Sequence, residues 1–190
     1  MKPKRIKINK RFIGRRREID RLSQIGKADE NAIVVMYGRR RIGKTELLEQ
    51  AFRNRNVIKL EGFEGKSEKE EMQLVLQQLA QYTAEPLLTQ IQPTNWLEVF
   101  QIIARYVKKG LWTLYFEEIQ WLANYKDAFV SEFKYIWDNE LRYNPELIVV
   151  FCGSSPSFVI GKVIKSKALH NRSLHEFPLE EFTGVFPFSG

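Results

Sequence analysis

The feature that most constrains this chain is a loop bounded by two glycines, which lies between an apolar run and a helical pattern. The run "NAIVVMY" (31–37) is short, continuous and rich in β-branched residues, as expected of a buried parallel strand. The loop that follows, "GRRRIGKT" (38–45), has the spacing G-x-x-x-x-G-K-[ST]. The next residues, "KTELLEQAFRNR" (44–55), predict a helix with its leucines facing inward. This order places the loop at the carboxyl end of a parallel strand.

Each fixed position of the loop suits a phosphate group. Gly38 and Gly43 let backbone N–H groups turn inward around phosphate oxygens, and the dipole of the following helix adds to their attraction. Lys44 is predicted to bridge the β- and γ-phosphates, while Thr45 offers its hydroxyl to Mg²⁺. We therefore predict a site for ATP or ADP with Mg²⁺, the alternative being an ordinary basic turn. The predicted nucleotide-binding residues here are Gly38, Arg39, Arg40, Arg41, Ile42, Gly43, Lys44, Thr45 and Glu46.

Strands and helices alternate along the rest of the chain. Helical spacing predicts helices over 17–28, 67–83, 95–109, 128–142 and, more weakly, 156–167. Ser67 followed by Glu70 is a capping-box pattern at the start of the second of these. Apolar runs predict strands over 56–62, 111–116 and 146–153, with a last candidate at 173–179. Such alternation implies right-handed βαβ units, and therefore an α/β fold whose parallel sheet carries helices on both faces.

Two adjacent acids follow the strand predicted in "LYFEEIQWL" (114–122). A phosphate-binding loop needs such a second site before it can hydrolyse a nucleotide, because the metal and the attacking water must both be positioned. We assign Glu117 to the metal, through water, and Glu118 to the base that polarises the attacking water. The alternative is a solvated acidic helix start, since acids favour helix N-termini.

Two further residues are candidates for the γ-phosphate. The strand "LIVVFCGSS" ends in Ser154, whose hydroxyl can bind the phosphate or the water; turn chemistry before Pro156 is an equal alternative. Arg172 can reach a γ-phosphate in its own or a neighbouring subunit, or can simply face solvent.

The net charge of +7 is concentrated near the N-terminus, where residues 1–60 contain 18 Lys and Arg against 6 Asp and Glu. A basic region favours polyanions without choosing among them. Residues 1–11 are therefore predicted to be a solvated basic tail, the alternative being a surface for DNA or RNA over residues 2–17. No apolar run is long enough to span a bilayer, and no apolar segment follows the basic start. With one cysteine, Cys152, this predicts a cytoplasmic protein without a membrane partner.

Several segments together resemble the prokaryotic, chiefly archaeal, P-loop ATPases of the AAA+/STAND-related group. The matching segments span residues 12–180 and are "FIGRRREIDRL", "VVMYGRRRIGKTELL", "FEEIQWL", "FKYIWDNEL" and "IVVFCGSSPSFV". The resemblance implies a three-layer αβα sandwich with about five parallel strands, of the additional-strand, catalytic-glutamate kind. It also implies that Gly14 and Arg15 pack near the nucleotide base. Arginines are usual in the loop of this family, so they need no separate nucleic-acid explanation.

The chain departs from this family in three ways. Glu117 stands where the family normally has Asp, which shifts the geometry around the metal and is expected to slow the reaction. The family's "L-Y-G-R-R" appears as residues 169–173, where only Arg172 carries over. Related proteins also continue into a lid and effector domains. We therefore expect a basic tail over 1–11 and a P-loop ATPase domain over 12–190, without those later domains.

The preferred interpretation is an ATP-binding, Mg²⁺-dependent ATPase that acts as a switch or motor for a protein effector or a homo-oligomer. One alternative is a nucleotide-binding module that hydrolyses little or nothing. Another is a nucleic-acid-binding protein regulated by ATP. A small-molecule kinase is disfavoured, because no arginine-rich lid follows residue 110.

Overall fold

The computed structural model describes residues 15–166, 169 and 174–180. Its centre is one sheet of five parallel strands in the order β2-β3-β4-β1-β5. The strands are β1 Ala32–Tyr37, β2 Asn56–Glu61, β3 Trp112–Glu117, β4 Leu147–Gly153 and β5 Leu174–Pro178. Strand β4 lies between the strand before the glycine-bounded loop and the strand before the two acids. This inserted strand is the additional strand of the predicted fold, and the predicted fold class is therefore confirmed.

Helices cover both faces of the sheet. They are α1 Arg16–Lys27, α2 Lys44–Ala51, α3 Glu68–Thr83, α4 Trp96–Tyr106, α5 Ile119–Leu122, α6 Ala128–Asn139 and α7 Pro156–Phe158. Short 3₁₀ turns occupy Pro86–Gln90 and Leu141–Tyr143, and π-helical turns occupy Val159–Ile164. The capping box predicted at Ser67 is present, with the Glu70 backbone N–H donating to the Ser67 side chain. No helix among the described residues is both long and apolar enough to cross a membrane.

The helix predicted over 44–55 is too long by four residues, because α2 ends at Ala51. The reason is Arg55, whose buried side chain belongs to a different set of contacts. Its guanidinium donates to Thr113 Oγ1 at 3.1 Å, to the Trp112 carbonyl at 2.9 Å and to the Gly26 carbonyl at 3.3 Å. It also donates to the carbonyl of Glu146. These bonds tie α1 and strands β3 and β4 together at the amino-terminal ends of the strands.

The helix predicted over 156–167 is also shorter and less regular than expected. One α-helical turn gives way to π-helical turns, in which the Lys165 N–H donates to the Ile160 carbonyl five residues earlier, at 2.9 Å. The helices predicted to end at 109 and 142 end at Tyr106 and Asn139.

The core has two parts, one on each face of the sheet. The larger part lies under α3, α4 and α6 and contains a cluster of aromatic rings in edge-to-face contact. The ring of Phe133 is at the centre of this cluster, with its centroid 4.8 to 6.1 Å from those of Phe100, Phe116 and Phe151. The smaller part lies under α1 and α2 and includes Leu22, Leu47 and Phe52. These two layers and the sheet between them make the predicted αβα sandwich.

Candidate functional site

The candidate site forms where β1, β3 and β4 end side by side. Tyr37 of β1 is in register with Gly153 of β4, and Glu117 of β3 is in register with Cys152. The residues that follow, Gly38, Glu118 and Ser154, therefore meet at one edge of the sheet. Because parallel strands present their carboxyl ends on the same edge, distant parts of the chain converge there.

The backbone of the loop is built around its two glycines. A Cβ on Gly38 would lie 2.3 Å from the Leu179 carbonyl oxygen and 2.6 Å from Cδ1 of Ile42, so no side chain fits there. Gly43 precedes α2 with φ 85°, and Arg41 has φ 63°. Left-handed conformations at these two positions turn the loop back on itself before the helix begins.

Lys44 and Thr45, the first residues of α2, point into the loop and towards β3. The Lys44 ammonium is buried and donates to the carbonyls of Gly38 at 2.9 Å and Arg39 at 2.6 Å. Thr45 Oγ1 donates to Glu117 Oε1 at 2.6 Å. The start of α2 thus presents a cation and a hydroxyl, and the hydroxyl is bonded to a carboxylate at the end of β3.

Glu117 is held on both of its oxygens. Oε1 accepts from Thr45 and from the Tyr115 hydroxyl at 2.9 Å, while Oε2 forms an ion pair with Lys59. Burial alone would raise the pKa of Glu117, but the hydrogen bonds from Lys59 and Thr45 outweigh it and lower the pKa below its usual value. Glu117 is therefore ionised at neutral pH.

Glu118 begins α5 in a left-handed conformation, with φ 54° and ψ 51°, which is unusual for a residue with a side chain. Its Oε2 accepts from Gln120 Nε2 at 2.6 Å, from Ser154 Oγ at 2.6 Å and from the Ser154 N–H at 3.2 Å. Arg40 lies 3.5 Å from Oε1, with its guanidinium stacked 4.4 Å above the ring of Trp121. The predicted base and the predicted serine are therefore in direct contact.

Two residues of this site were missed by sequence reasoning, Lys59 and Gln120. Lys59 is a charged residue within the short strand β2, and Gln120 is a polar residue flanked by the apolar Ile119 and Trp121. Gln120 is only 1% exposed and also donates to Ser154 Oγ, at 3.1 Å. A polar residue in an apolar segment was the available signal, but the sequence does not show that Lys59 contacts Glu117 or that Gln120 contacts Glu118 and Ser154.

The other predicted residues lie at various distances from these contacts. Arg15, at the start of α1, donates to the carbonyl of Glu180 at 2.6 Å. Arg39 and Arg41 are exposed on the loop, Ile42 is half-buried, and Glu46 accepts from Gln50 at 2.9 Å within α2. Gly14 and Arg172 lie outside the described residues, so their assignments stay predictions.

The family of this chain follows from its similarity to known proteins. A model for an ATPase domain found predominantly in Archaea matches residues 12–183. The chain belongs to this ATPase family. The predicted resemblance to archaeal P-loop ATPases is thereby confirmed. No curated protein is similar enough to the chain to count as a match.

Solved structures of related architecture support the same fold. The ORC2 protein of Aeropyrum pernix, in ADPNP–ADP complexes, has a TM-score of 0.61 at 14% identity over 90% of this chain and 50% of its own. A Walker-type ATPase of Pyrococcus abyssi has a TM-score of 0.60 at 19% identity, with 94% and 56% covered. Cdc6p of Pyrobaculum aerophilum has a TM-score of 0.60 at 13% identity, over 90% of this chain and 47% of its own. The chain spans about half the length of these neighbours, and at such identities they establish the fold alone.

Proposed function

We propose that this ATPase-family chain binds ATP at residues 38–46 and hydrolyses it with Mg²⁺, as a switch or motor for an effector. The observation that carries the proposal is the hydrogen bond of 2.6 Å between Thr45 Oγ1 and Glu117 Oε1. It brings the hydroxyl of the glycine-bounded loop onto an ionised carboxylate of a different strand. A basic turn or a solvated acidic helix start would require no such contact.

The donor atoms at this point fit magnesium. Mg²⁺ prefers oxygen ligands and usually takes one or two from the protein, with the rest from phosphates and water. Thr45 would hold it directly and Glu117 through water, and the ion would supply charge stabilisation to the β- and γ-phosphates. Among the described residues, no group of three or more His, Cys, Asp or Glu side chains is arranged to hold a metal ion. This suits a metal whose remaining ligands come from the nucleotide.

Lys44 would bind a phosphate of the nucleotide. Its ammonium now binds the neutral carbonyls of Gly38 and Arg39. A phosphate in the loop would replace these with charged oxygens, which make stronger hydrogen bonds to a cation. The backbone N–H groups around Gly43 and the N-terminal dipole of α2 would bind the same phosphates.

Glu118 and Ser154 would act on the attacking water. Glu118 would accept the proton of a water as its oxygen attacks the γ-phosphorus, and ADP would leave in line. Ser154 and Gln120 orient this carboxylate through hydrogen bonds of 2.6 Å each, from Ser154 Oγ and Gln120 Nε2. Ser154 would also lie within reach of the γ-phosphate.

One observation favours the alternative of a nucleotide-binding module with slow hydrolysis. The Oε2 atom of Glu118 accepts from Ser154 and Gln120, while its Oε1 lies 3.5 Å from Arg40. An attacking water would therefore have to compete with these donors for the oxygens of Glu118. ATP binding would have to draw Arg40 or Ser154 towards the phosphates before turnover begins.

The other proposed partners and the domain division involve the two ends of the chain. A DNA or RNA surface over residues 2–17 lies mostly outside the described part, as do the division at residue 12 and a role for Arg172 in a homo-oligomer. A steep fall of DNA affinity with salt, lost on deletion of residues 1–11, would support the nucleic-acid assignment.

The proposed function is tested by ATP turnover and ATP affinity in Lys44→Ala and Glu118→Gln. Both variants should lose at least about a hundredfold in turnover, because each removes a group that acts on the transferred phosphate or the water. Glu118→Gln should keep the wild-type affinity, whereas Lys44→Ala should bind ATP weakly.

The matched controls are Lys108→Ala and Glu140→Gln, two exposed residues near the opposite edge of the sheet. They should behave as wild type. Tight ATP binding with no turnover in the wild type would instead establish the slow-hydrolysis module. Wild-type affinity in Lys44→Ala would contradict the proposed site.

A further inference from the structure

Lys59 of β2 reaches the candidate metal site and contacts its predicted metal ligand, Glu117. It pairs in register with Tyr115 of β3, and its ammonium lies 5.6 Å from the centre of that ring. From there it forms its ion pair with Oε2 of Glu117. The side chains of Lys59 and Glu117 are 27% and 14% exposed, so solvent screens the pair only partly.

Three carboxylates act on this ammonium. Glu117 contacts it, while Glu61 at the end of β2 and Glu49 on α2 attract it from further away. Burial alone would lower the pKa of Lys59, but the ion pair and these charges raise it above its usual value. Lys59 is therefore positively charged at neutral pH.

The side chain of Glu117 gives this lysine a task. A glutamate has one more rotatable bond than the aspartate usual at this position, so its carboxylate needs more contacts to stay in one place. Thr45 and Tyr115 bind Oε1, which leaves Oε2 to Lys59. Without Lys59, the carboxylate would be held through Oε1 alone, and the position of Oε2 would be less well fixed.

We propose that Lys59 is a positioning residue for the metal site, which fixes Oε2 of Glu117 and also weakens Mg²⁺ binding by its positive charge. This inference rests on the proposed function. The ammonium and the metal ion would share one carboxylate, and like charges at that distance repel. The free chain would therefore bind Mg²⁺ poorly, and the metal would enter together with ATP, whose phosphates offset the charge of Lys59.

The test compares wild type with Lys59→Met and Lys59→Arg. ATP affinity is measured in EDTA and at stepped concentrations of free Mg²⁺, and turnover is measured at saturating Mg²⁺. Mg²⁺ is expected to increase the ATP affinity, and the Mg²⁺ concentration that gives half of this increase is the Mg²⁺ midpoint. In Lys59→Met the Mg²⁺ midpoint should fall roughly three- to tenfold, because a nearby positive charge is gone. Turnover should fall in the same variant, because Glu117 is no longer fixed. Lys59→Arg keeps the charge and should stay within about twofold of the wild-type Mg²⁺ midpoint.

Lys108→Met is the matched control, since it removes the same charge from an exposed residue just before β3, at the other edge of the sheet. If Lys59→Met does not fold, Lys59→Gln keeps an N–H donor without the charge and carries the same expectation. A loss of packing alone would not tighten Mg²⁺ binding. An unchanged or higher Mg²⁺ midpoint in a variant that still binds ATP in EDTA would overturn the role of Lys59 alone. A wild type that binds no ATP, or binds it equally with and without Mg²⁺, would overturn the proposed function as well.

Discussion

Glu71, buried on α3 and bonded to the backbone just after β2, makes folding depend on pH. Its Oε1 accepts from the Phe63 N–H at 2.8 Å, but its Oε2 has no hydrogen-bond partner in the described part of the chain. Burial raises the pKa of Glu71 from 4.5 to about 7. The unfolded chain therefore releases this proton first, and the free energy of unfolding falls as the pH rises from about 4.5 to about 7. Glu71→Gln should raise the Tm relative to wild type at pH 8 and change it little at pH 5. The measurement is thermal unfolding at both values, with the exposed Glu64→Gln as control; an equal difference at both would contradict this origin.

The residue after β2, Gly62, packs closely against α5, the helix that follows the proposed base. The Gly62 N–H donates to the Glu117 carbonyl at 2.9 Å. A Cβ on Gly62 would lie 2.7 Å from the Leu122 nitrogen and 2.9 Å from the Glu118 carbonyl oxygen. Gly62→Ala should therefore move α5, reduce the free energy of unfolding by about 1–3 kcal/mol and reduce turnover on the order of tenfold. ATP affinity should change little. Gly161→Ala is the control, because a Cβ there meets no atom within 4 Å. Turnover equal to that of the control would show that α5 tolerates the shift.

At the scale of the whole molecule, the candidate site joins three strands that are far apart in the sequence, so nucleotide binding should stabilise the entire domain. A ligand at a hundred times its Kd adds about 2.7 kcal/mol to the free energy of unfolding of a folded state that alone binds it. For a chain of 190 residues this corresponds to a Tm higher by roughly 5–10 °C. The measurement is a thermal scan with and without ATP and Mg²⁺, and the increase should be absent in Lys44→Ala. The same increase in that variant would place the bound nucleotide elsewhere.

How much of this molecule can be predicted from sequence depends on whether the contacts are local. Strands β1, β3 and β4 are continuous apolar runs, and the glycine-bounded loop has a fixed spacing, so the fold and the place of Glu117 and Glu118 could be predicted. The end of α2 could not, because Arg55 leaves the helical pattern to reach carbonyls on α1, β3 and β4. Lys59 and Gln120 were missed for the same reason, since their partners Glu117 and Ser154 are distant in the sequence.

Arg55 also makes the two rims of the sheet different from one another. Its guanidinium keeps its charge, although burial lowers its pKa to about 10, and it fastens the amino-terminal rim of the sheet from within. The opposite rim, with Arg40, Glu118 and Ser154, is joined by side chains that can exchange partners. Evolution can therefore change residues at the carboxyl-terminal rim, to suit a new effector or a slower rate of hydrolysis, while the amino-terminal rim keeps the same architecture.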